Sequence, residues 1–447
     1  MAAQDIELRP TSRSEAGEWN LIDEHFEPTS NTSSLSPPDR GKNAWLFLAA
    51  CFMVEALVWG FPYAFGLFQE YYSTHEPFAS SKNIPVIGTC AMGIMYLSSP
   101  VAFGVLTKWP VLRRWFTFVG LFTMCLGIGL SSLCITVNQL IATQGVMYAI
   151  GGSMAYCPTI LFVNEWFIKR RGFAFGVMWA GTGVAGVVLP LILQYLLHAY
   201  GFRTTLRVWS ITLLILTGPL LFFVKPRIPL SQSPRQHRSA RTFDFSFLTL
   251  RTFLILQFCN ILEGLGYFMP SIYLPTYAQQ YLEAGSLPSA FTLITINVAS
   301  VFGCVLMGHL IDRFHVTTCI LISTIGATLG TFLLWGFSTS LPLLYIFCIT
   351  YGLFAGSFSS TWTGVIKDVQ KKTDSADAGL VFGILAAGRG IGNVVSGPLS
   401  EALTGGKPWE GEAGFAYGSG YGPLIAFTGI TAACGGLSWA IRRVGWL

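Results

Sequence analysis

The sequence has few charged residues for its length. Asp, Glu, Lys and Arg make up 11% of the 447 residues, whereas a soluble domain carries roughly 25%. Hydrophobic residues make up 52%, and the mean hydropathy is +0.56. The shortage of charge excludes a soluble globular protein and predicts a chain whose solvent is lipid.

The sequence also lacks the motifs on which enzymes and metal proteins depend. No P-loop, HExxH, nucleophile elbow or EF-hand is present. Gly181-x-Gly183-x-x-Gly186 matches the dinucleotide pattern by its letters alone, because no strand precedes it. The ten cysteines fall within apolar runs without paired spacing, which argues against a disulfide framework or a zinc site. We expect no enzyme, no catalytic residue, no metal and no nucleic-acid partner, and no cofactor apart from coupling to protons, which stays open.

An apolar signal segment is missing near the N-terminus. Residues 1–42 are polar and rich in Ser, Thr and Pro, which predicts a disordered tail. Twelve apolar stretches of bilayer-crossing length follow, near 44–68, 84–106, 115–136, 139–163, 173–197, 205–224, 252–276, 289–311, 316–337, 341–364, 379–402 and 421–441. Because 22 of the 27 Lys and Arg residues fall on one side of these spans, we predict that both termini are cytoplasmic.

The second half of the chain repeats the first. FGVMWAGTGVAGVVLPL, which starts at Phe175, returns as FGILAAGRGIGNVVSGPL, which starts at Phe382, and EALVWGFPYAF from Glu55 returns as EGLGYFMPSIY from Glu263. This duplication predicts an all-α membrane protein with a six-helix bundle at 43–224, a cytoplasmic linker at 225–251, a second bundle at 252–441 and a cytoplasmic end at 442–447. Two parallel six-helix repeats resemble the major facilitator architecture, which binds substrate between its halves.

Three ionisable side chains fall near the middle of predicted spans: Glu55, Glu263 and Arg389. Charge at this depth is costly and is usually paired or functional. One interpretation makes Arg389 a donor to a carboxylate-like substrate and makes a glutamate the group whose protonation is coupled to transport. The other is structural, either as an ion pair of Arg389 with Glu263 or as protonated glutamates bonded between helices.

Pro62 and Pro270 each follow one of the two glutamates by seven residues, so each pair lies on one helix face. Proline leaves a carbonyl of the preceding turn without its bond, and we predict kinked helices that line a cavity. Candidate substrate contacts around these prolines and in spans 4 and 10 are Tyr63, Tyr267, Tyr148, Tyr351 and Ser357. Packing or hydrogen bonding between helices is the alternative for each of them.

The connection after span 8 contains the neighbouring residues Asp312 and Arg313. They suit a cytoplasmic ion pair that clamps adjacent helices in one conformation and releases them in another. The equivalent connection in the first half has Lys108 in place of the acid, so only the second half is expected to form this gate.

The start of span 5 reads WFIKRRGFAFGVMWAGT from Trp166 to Thr182. It resembles the signature of the monocarboxylate transporter family, and GFPYAFGLFQEYY in span 1 with YLSSP in span 2 resembles the fungal branch of that family. The resemblance implies a secondary transporter with an alternating-access cycle, often proton-linked. Lactate-type members have a lysine where this chain has Tyr63, and an aspartate and an arginine where it has Ser300 and Cys304, which argues against a proton–lactate symporter.

We therefore predict a twelve-helix secondary transporter of a small organic anion or specialised metabolite, with efflux as the favoured role. Proton-linked uptake of a carboxylate or vitamin-like nutrient is the alternative, and a non-transporting nutrient sensor on the same scaffold is a second one. The expected location is the plasma membrane, with the vacuolar membrane left open. The expected partners are the lipid bilayer and the small-molecule substrate; an accessory membrane subunit is neither indicated nor excluded.

Overall fold

The computed structural model describes residues 36–79, 81–228 and 244–445. Most of the predicted tail and the middle of the predicted linker lie outside these ranges. Within them the regular secondary structure is helical, without a β-strand. Residues 37–445 belong to one compact unit, and the two bundle boundaries expected from the sequence stay a prediction.

Eleven helices of the described residues are long and apolar enough to cross a membrane. Spans 1 to 4 are Lys42–Thr74, Ile84–Lys108, Leu112–Ser131 and Val137–Trp166, and spans 7 to 12 are Arg251–Gln280, Ser286–Arg313, Val316–Trp335, Leu341–Lys372, Ala378–Thr404 and Gly422–Arg443. The helix Arg171–Leu220 contains 50 residues, which is too long for one crossing. It is broken at Gly201, where φ is 71°, so span 5 is 171–200 and span 6 is 202–220. The prediction of a twelve-helix, all-α membrane protein is confirmed.

Spans 1 and 7 are both interrupted next to their prolines. Span 1 consists of Lys42–Tyr63 and Phe65–Thr74, and span 7 consists of Arg251–Tyr267 and Met269–Gln280. Since Pro62 has no N–H, the carbonyl of Val58 loses its usual helical donor four residues on. The Tyr148 hydroxyl donates to this oxygen over 2.7 Å, so span 4 stabilises the break in span 1.

Small residues allow spans 5 and 8 to pack with their backbones close together. A Cβ atom added at Gly183 would lie 2.9 Å from the carbonyl oxygen of Asn297, and one added at Gly172 would clash with the backbone at Gly308. Close approach through glycine is the usual means of association between membrane helices. The glycines of the dinucleotide-like pattern therefore serve helix packing in this chain.

One face of the helix array carries a concentration of positive charge, and we call it the basic face. Its cations include Lys169, Arg170, Arg313 and Lys367, together with Arg442 at the end of span 12. Asp39, which precedes span 1, also lies at this face, where its carboxylate accepts bonds from the connection between spans 4 and 5. The first and last described helices thus have their outer ends on the same side.

Candidate functional site

A cavity lies between spans of both halves. It is lined by Glu55, Trp59, Tyr63, Tyr96, Ser99, Tyr156, Trp179, Thr182 and Gly183 from spans 1, 2, 4 and 5, and by Tyr267, Asn297, Ser300, Cys304, Gly356, Ser359, Trp362, Phe382, Ala386 and Arg389 from spans 7, 8, 10 and 11. Such a concave site with a few converging polar groups is the usual form of a small-molecule site.

Arg389 is buried at the cavity wall with 3% of its surface exposed. Its Nη1 atom donates to Oε2 of Glu263 over 2.8 Å, which joins span 11 to span 7. The guanidinium carbon also lies 3.9 Å from the ring centroid of Tyr267, within the range of a cation–π contact. The ion pair that the sequence offered as one interpretation is therefore present, and Glu263 lies behind Arg389, outside the lining of the cavity.

Glu55 makes the equivalent contact in the first half. Its Oε1 atom accepts a bond of 3.0 Å from the Thr182 hydroxyl of span 5. Its Oε2 atom is buried without a hydrogen-bond partner among the described residues. The chain thus places a neutral partner opposite one repeated glutamate and a cation opposite the other, so the two halves of the cavity differ in charge.

An aromatic cluster of Trp179, Trp362 and Phe382 closes the cavity toward the basic face. The ring centroids lie 5.4 to 6.1 Å apart, and the three residues come from spans 5, 10 and 11. At the opposite end of the cavity, Tyr63 has 37% of its surface exposed. Tyr63 is thus the most exposed of the lining residues, and it lies at the end away from the basic face.

Three of the predicted substrate contacts do not line this cavity. Tyr148 is occupied by the carbonyl of Val58, as described above. Tyr351 donates to the carbonyl of Tyr267 over 3.1 Å, at the break before Pro270. Ser357 donates to the carbonyl of Phe354 over 2.9 Å in its own helix. In this conformation these side chains satisfy backbone carbonyls, whereas Tyr63 and Tyr267 do line the cavity.

Several cavity residues were not among the predicted contacts, above all Trp59, Tyr96, Trp179 and Thr182. The repeat gave a signal for two of them. Thr182 occupies the position of Arg389 in the aligned repeats, and Trp59 is the aromatic residue that aligns with Tyr267. These two cavity positions are shared by both copies, so the contacts proposed at Arg389 and Tyr267 pointed to their counterparts in the first half.

Asp312 binds the start of span 5 at the basic face. Its two carboxylate oxygens accept bonds of 2.8 Å from the N–H of Gly172 and 2.9 Å from that of Phe173. Lys367 of span 10 adds an ion pair of 3.1 Å. The partner of Asp312 is therefore Lys367 and not the neighbouring Arg313, which is exposed. These bonds fasten spans 8 and 10 to span 5 beneath the aromatic cluster.

Asp39 binds the connection between spans 4 and 5, just before the residues that Asp312 contacts. Its carboxylate accepts bonds from the N–H groups of Ile168, Lys169 and Arg170 over 2.9 to 3.1 Å. Burial alone would raise the pKa of this carboxyl, but the three N–H bonds outweigh burial and lower the pKa of Asp39 below its ordinary value.

Comparison with known proteins gives the family. The model of the Major Facilitator Superfamily matches residues 44–397 and also residues 258–441. The chain belongs to the Major Facilitator Superfamily. It is accordingly a multi-pass membrane protein that transports small molecules and is not an enzyme. Among the described residues no group of three or more metal-binding side chains comes together.

Curated fungal relatives extend over most of the chain. The MFS transporter asaE of Aspergillus flavus is 25% identical over 387 residues, which cover 86% of this chain and 85% of that protein. The MFS-type transporter opdF of Penicillium oxalicum is 26% identical over 437 residues, with 94% and 96% covered. The aspyridones efflux protein apdF of Emericella nidulans is 25% identical over 370 residues, with 82% and 73% covered.

Proposed function

We propose that this transporter exports a specialised metabolite from the cell. The observation that carries the proposal is the cavity, which is rich in aromatic side chains and also presents polar groups from both halves of the chain. Such a lining suits a flat or amphiphilic solute better than a small acid such as lactate. The name of the Emericella nidulans relative, an efflux protein, supports the outward direction.

Within that function, Arg389 would bind an acceptor group of the substrate, such as a carboxylate, an enolate or a carbonyl. Glu263 neutralises the guanidinium, and Tyr267 covers one of its faces. A guanidinium has five N–H donors, so donors remain for a solute on the cavity side. The substrate would therefore meet a strong hydrogen-bond donor whose charge is already balanced.

We also propose that protons drive the cycle and that Glu55 carries them. Glu55 lines the cavity, and its Oε2 atom has no protein partner in the described chain. A carboxyl group at membrane depth in a transporter commonly takes part in a proton relay. Release of Asp312 from the start of span 5 would then open the basic face, which is closed in this structure.

The finer family assignment is a proposal as well. The signature from Trp166 to Thr182 supports a place among monocarboxylate porters, but Ser300 and Cys304 line the cavity at positions where lactate-type members have charged residues. We propose a member whose substrate differs from lactate. The distribution of Lys and Arg supports cytoplasmic termini. We place the chain in the plasma membrane, so that the end of the cavity at Tyr63 faces the outside of the cell.

A comparison of metabolites in cells with and without this chain tests the proposal. We expect a compound that is released by the native cell to be retained inside the cell that lacks the chain. Restoring the chain should restore release. An external nutrient that stays unconsumed, with no compound retained inside, would overturn export and favour uptake.

A further inference from the structure

Two polar atoms at the cavity wall have no hydrogen-bond partner among the described residues. They are Oε2 of Glu55 and the indole Nε1 of Trp59. Both residues line the cavity, and they have 3% and 4% of their surfaces exposed. Being four residues apart in the helix Lys42–Tyr63, they lie on one face, one turn apart. A buried polar group without a partner is uncommon and calls for an explanation.

Both side chains are held in place by their neighbours. The Thr182 hydroxyl holds Oε1 of Glu55, which leaves Oε2 as the open acceptor. The Trp59 ring packs against the rings of Tyr96 and Tyr156, with centroid distances of 4.6 and 5.6 Å, which restricts its movement. A donor and an acceptor one helix turn apart thus lie in the same cavity wall, and the contacts to Thr182, Tyr96 and Tyr156 restrict the two side chains before a ligand binds.

We infer that Glu55 and Trp59 form a substrate subsite for an amide-type group, in which a carbonyl oxygen lies next to an N–H. The carbonyl accepts from the Trp59 indole, and the N–H donates to the Glu55 carboxylate. The inference rests on the proposed transport function, for which it names a substrate class.

Other ligand groups fit this pair less well. A carboxylate would accept from the indole, but it carries no hydrogen to donate to Oε2 of Glu55. An ammonium group would pair with Glu55 and leave the indole N–H buried without an acceptor. A lactam, whose carbonyl and N–H lie on the same side of its C–N bond, satisfies both atoms without adding charge to the cavity, and its planar form suits the aromatic walls.

The experiment uses the purified full chain in lipid nanodiscs and two probes, quinolin-2(1H)-one and its N-methyl derivative. Isothermal titration calorimetry without a proton gradient gives the affinity of each. We expect the N–H probe to bind about tenfold more tightly than the N-methyl probe, because methylation removes the donor to Glu55. Absence of binding by the N–H probe, or equal affinities for the two probes, would overturn the subsite.

Two variants then test whether Glu55 and Trp59 are the residues that bind the probes. Glu55→Gln replaces the open acceptor by an amide and should remove most of the preference for the N–H probe. Trp59→Phe should weaken the binding of both probes about tenfold, because both have the carbonyl that accepts from the Trp59 indole. The matched control is Trp335→Phe, since the Trp335 indole N–H is also buried without a partner but lies away from the cavity. An equal loss of affinity in Trp335→Phe would contradict the assignment.

The two proposals fail separately. The probe comparison is made on the unaltered chain at equilibrium, so it stands even where a variant fails to fold and does not depend on the direction of transport. Equal affinities for the two probes would contradict the proposed subsite but would not bear on the proposal of export. If no compound is retained in cells that lack the chain, the proposal of export is contradicted, whereas a measured binding preference for the N–H probe still stands.

Discussion

Arg389 donates to Glu263 over 2.8 Å at the cavity wall, and the aligned residues of the first half, Thr182 and Glu55, are joined over 3.0 Å. The same contact between the first and fifth helix of a repeat is therefore made twice, once with a hydroxyl and once with a guanidinium. The two halves place the contact at equivalent positions but form it with different side chains. One half of the cavity holds a balanced ion pair, and the other half holds a carboxyl group with an open oxygen.

We expect Arg389→Gln to lower both stability and transport. The substitution leaves the Glu263 carboxylate buried without its counter-ion, and breaking a buried pair in this way costs about 3–5 kcal/mol. The unfolding temperature of the purified protein and the export of the metabolite give the two readouts.

The double variant Arg389→Gln with Glu263→Gln separates the two roles of Arg389. With both charges removed, most of the stability should return, because no unpaired charge stays buried. Export should stay low if Arg389 also binds substrate. Export at the native level by the double variant would show that Arg389 serves only as a counter-ion.

We expect Tyr148→Phe to lower the free energy of unfolding by about 1–3 kcal/mol, since it leaves the Val58 carbonyl buried without a donor. Selectivity among substrates should not change, because Tyr148 does not line the cavity. In a Pro62→Ala background, residue 62 regains its N–H, and the cost of Tyr148→Phe should shrink. A cost that is the same in both backgrounds would contradict the link between Tyr148 and the proline break.

We expect Asp312→Ala to shift the protein toward a state that is open at the basic face. The N–H groups of Gly172 and Phe173 and the ammonium of Lys367 would lose their shared acceptor, and bonds to a charged group are worth about 1.5–3 kcal/mol each. Electron paramagnetic resonance between labels at Lys169→Cys and Lys371→Cys should show a larger long-distance population.

The control for the gate is Arg313→Ala, measured with the same two labels. Arg313 is adjacent to Asp312 but exposed, so its removal should leave the distance distribution unchanged. A change in the distance distribution of Arg313→Ala as large as that of Asp312→Ala would show that Arg313 also takes part in the gate.

We expect Asp39→Asn to destabilise the protein at neutral pH and to have little effect in acid. The pKa of Asp39 is lower in the folded chain than its ordinary value of 3.8, so the carboxylate stabilises the fold above that value and loses this effect as the pH falls through the folded pKa. The cost at pH 7 should be about 0.5–1 kcal/mol, because the side-chain oxygen of asparagine still accepts part of the capping bonds. Unfolding temperatures of both proteins at several pH values test this, and a pH-independent difference would contradict it.

The sequence was sufficient to predict the fold because the membrane restricts the choices. Apolar length alone located twelve crossings, and repeated motifs showed the duplication that later aligned Thr182 with Arg389. The break at Gly201 was compatible with the predicted end of span 5 at residue 197, since a connection of a few residues is enough between adjacent spans.

The sequence was a weaker guide to the site, since helical periodicity assigns a residue to a face but not to a neighbour. Tyr148 and Tyr351 were expected at the cavity, but whether such a hydroxyl meets a solute or a carbonyl depends on the distance between helices. The partner of Asp312 was also missed, because Lys367 lies 55 residues away on another span. Arg389 and Glu263 could be named as an alternative pair only because so few ionisable groups lie at membrane depth.

Proton-driven export through this cavity is tested by uptake of the released compound into inside-out membrane vesicles with an acidic lumen. We expect vesicles with the native chain to accumulate the compound, and vesicles with Glu55→Gln to lose the dependence on the proton gradient. Accumulation confined to right-side-out vesicles, or none in either orientation, would contradict export through this cavity.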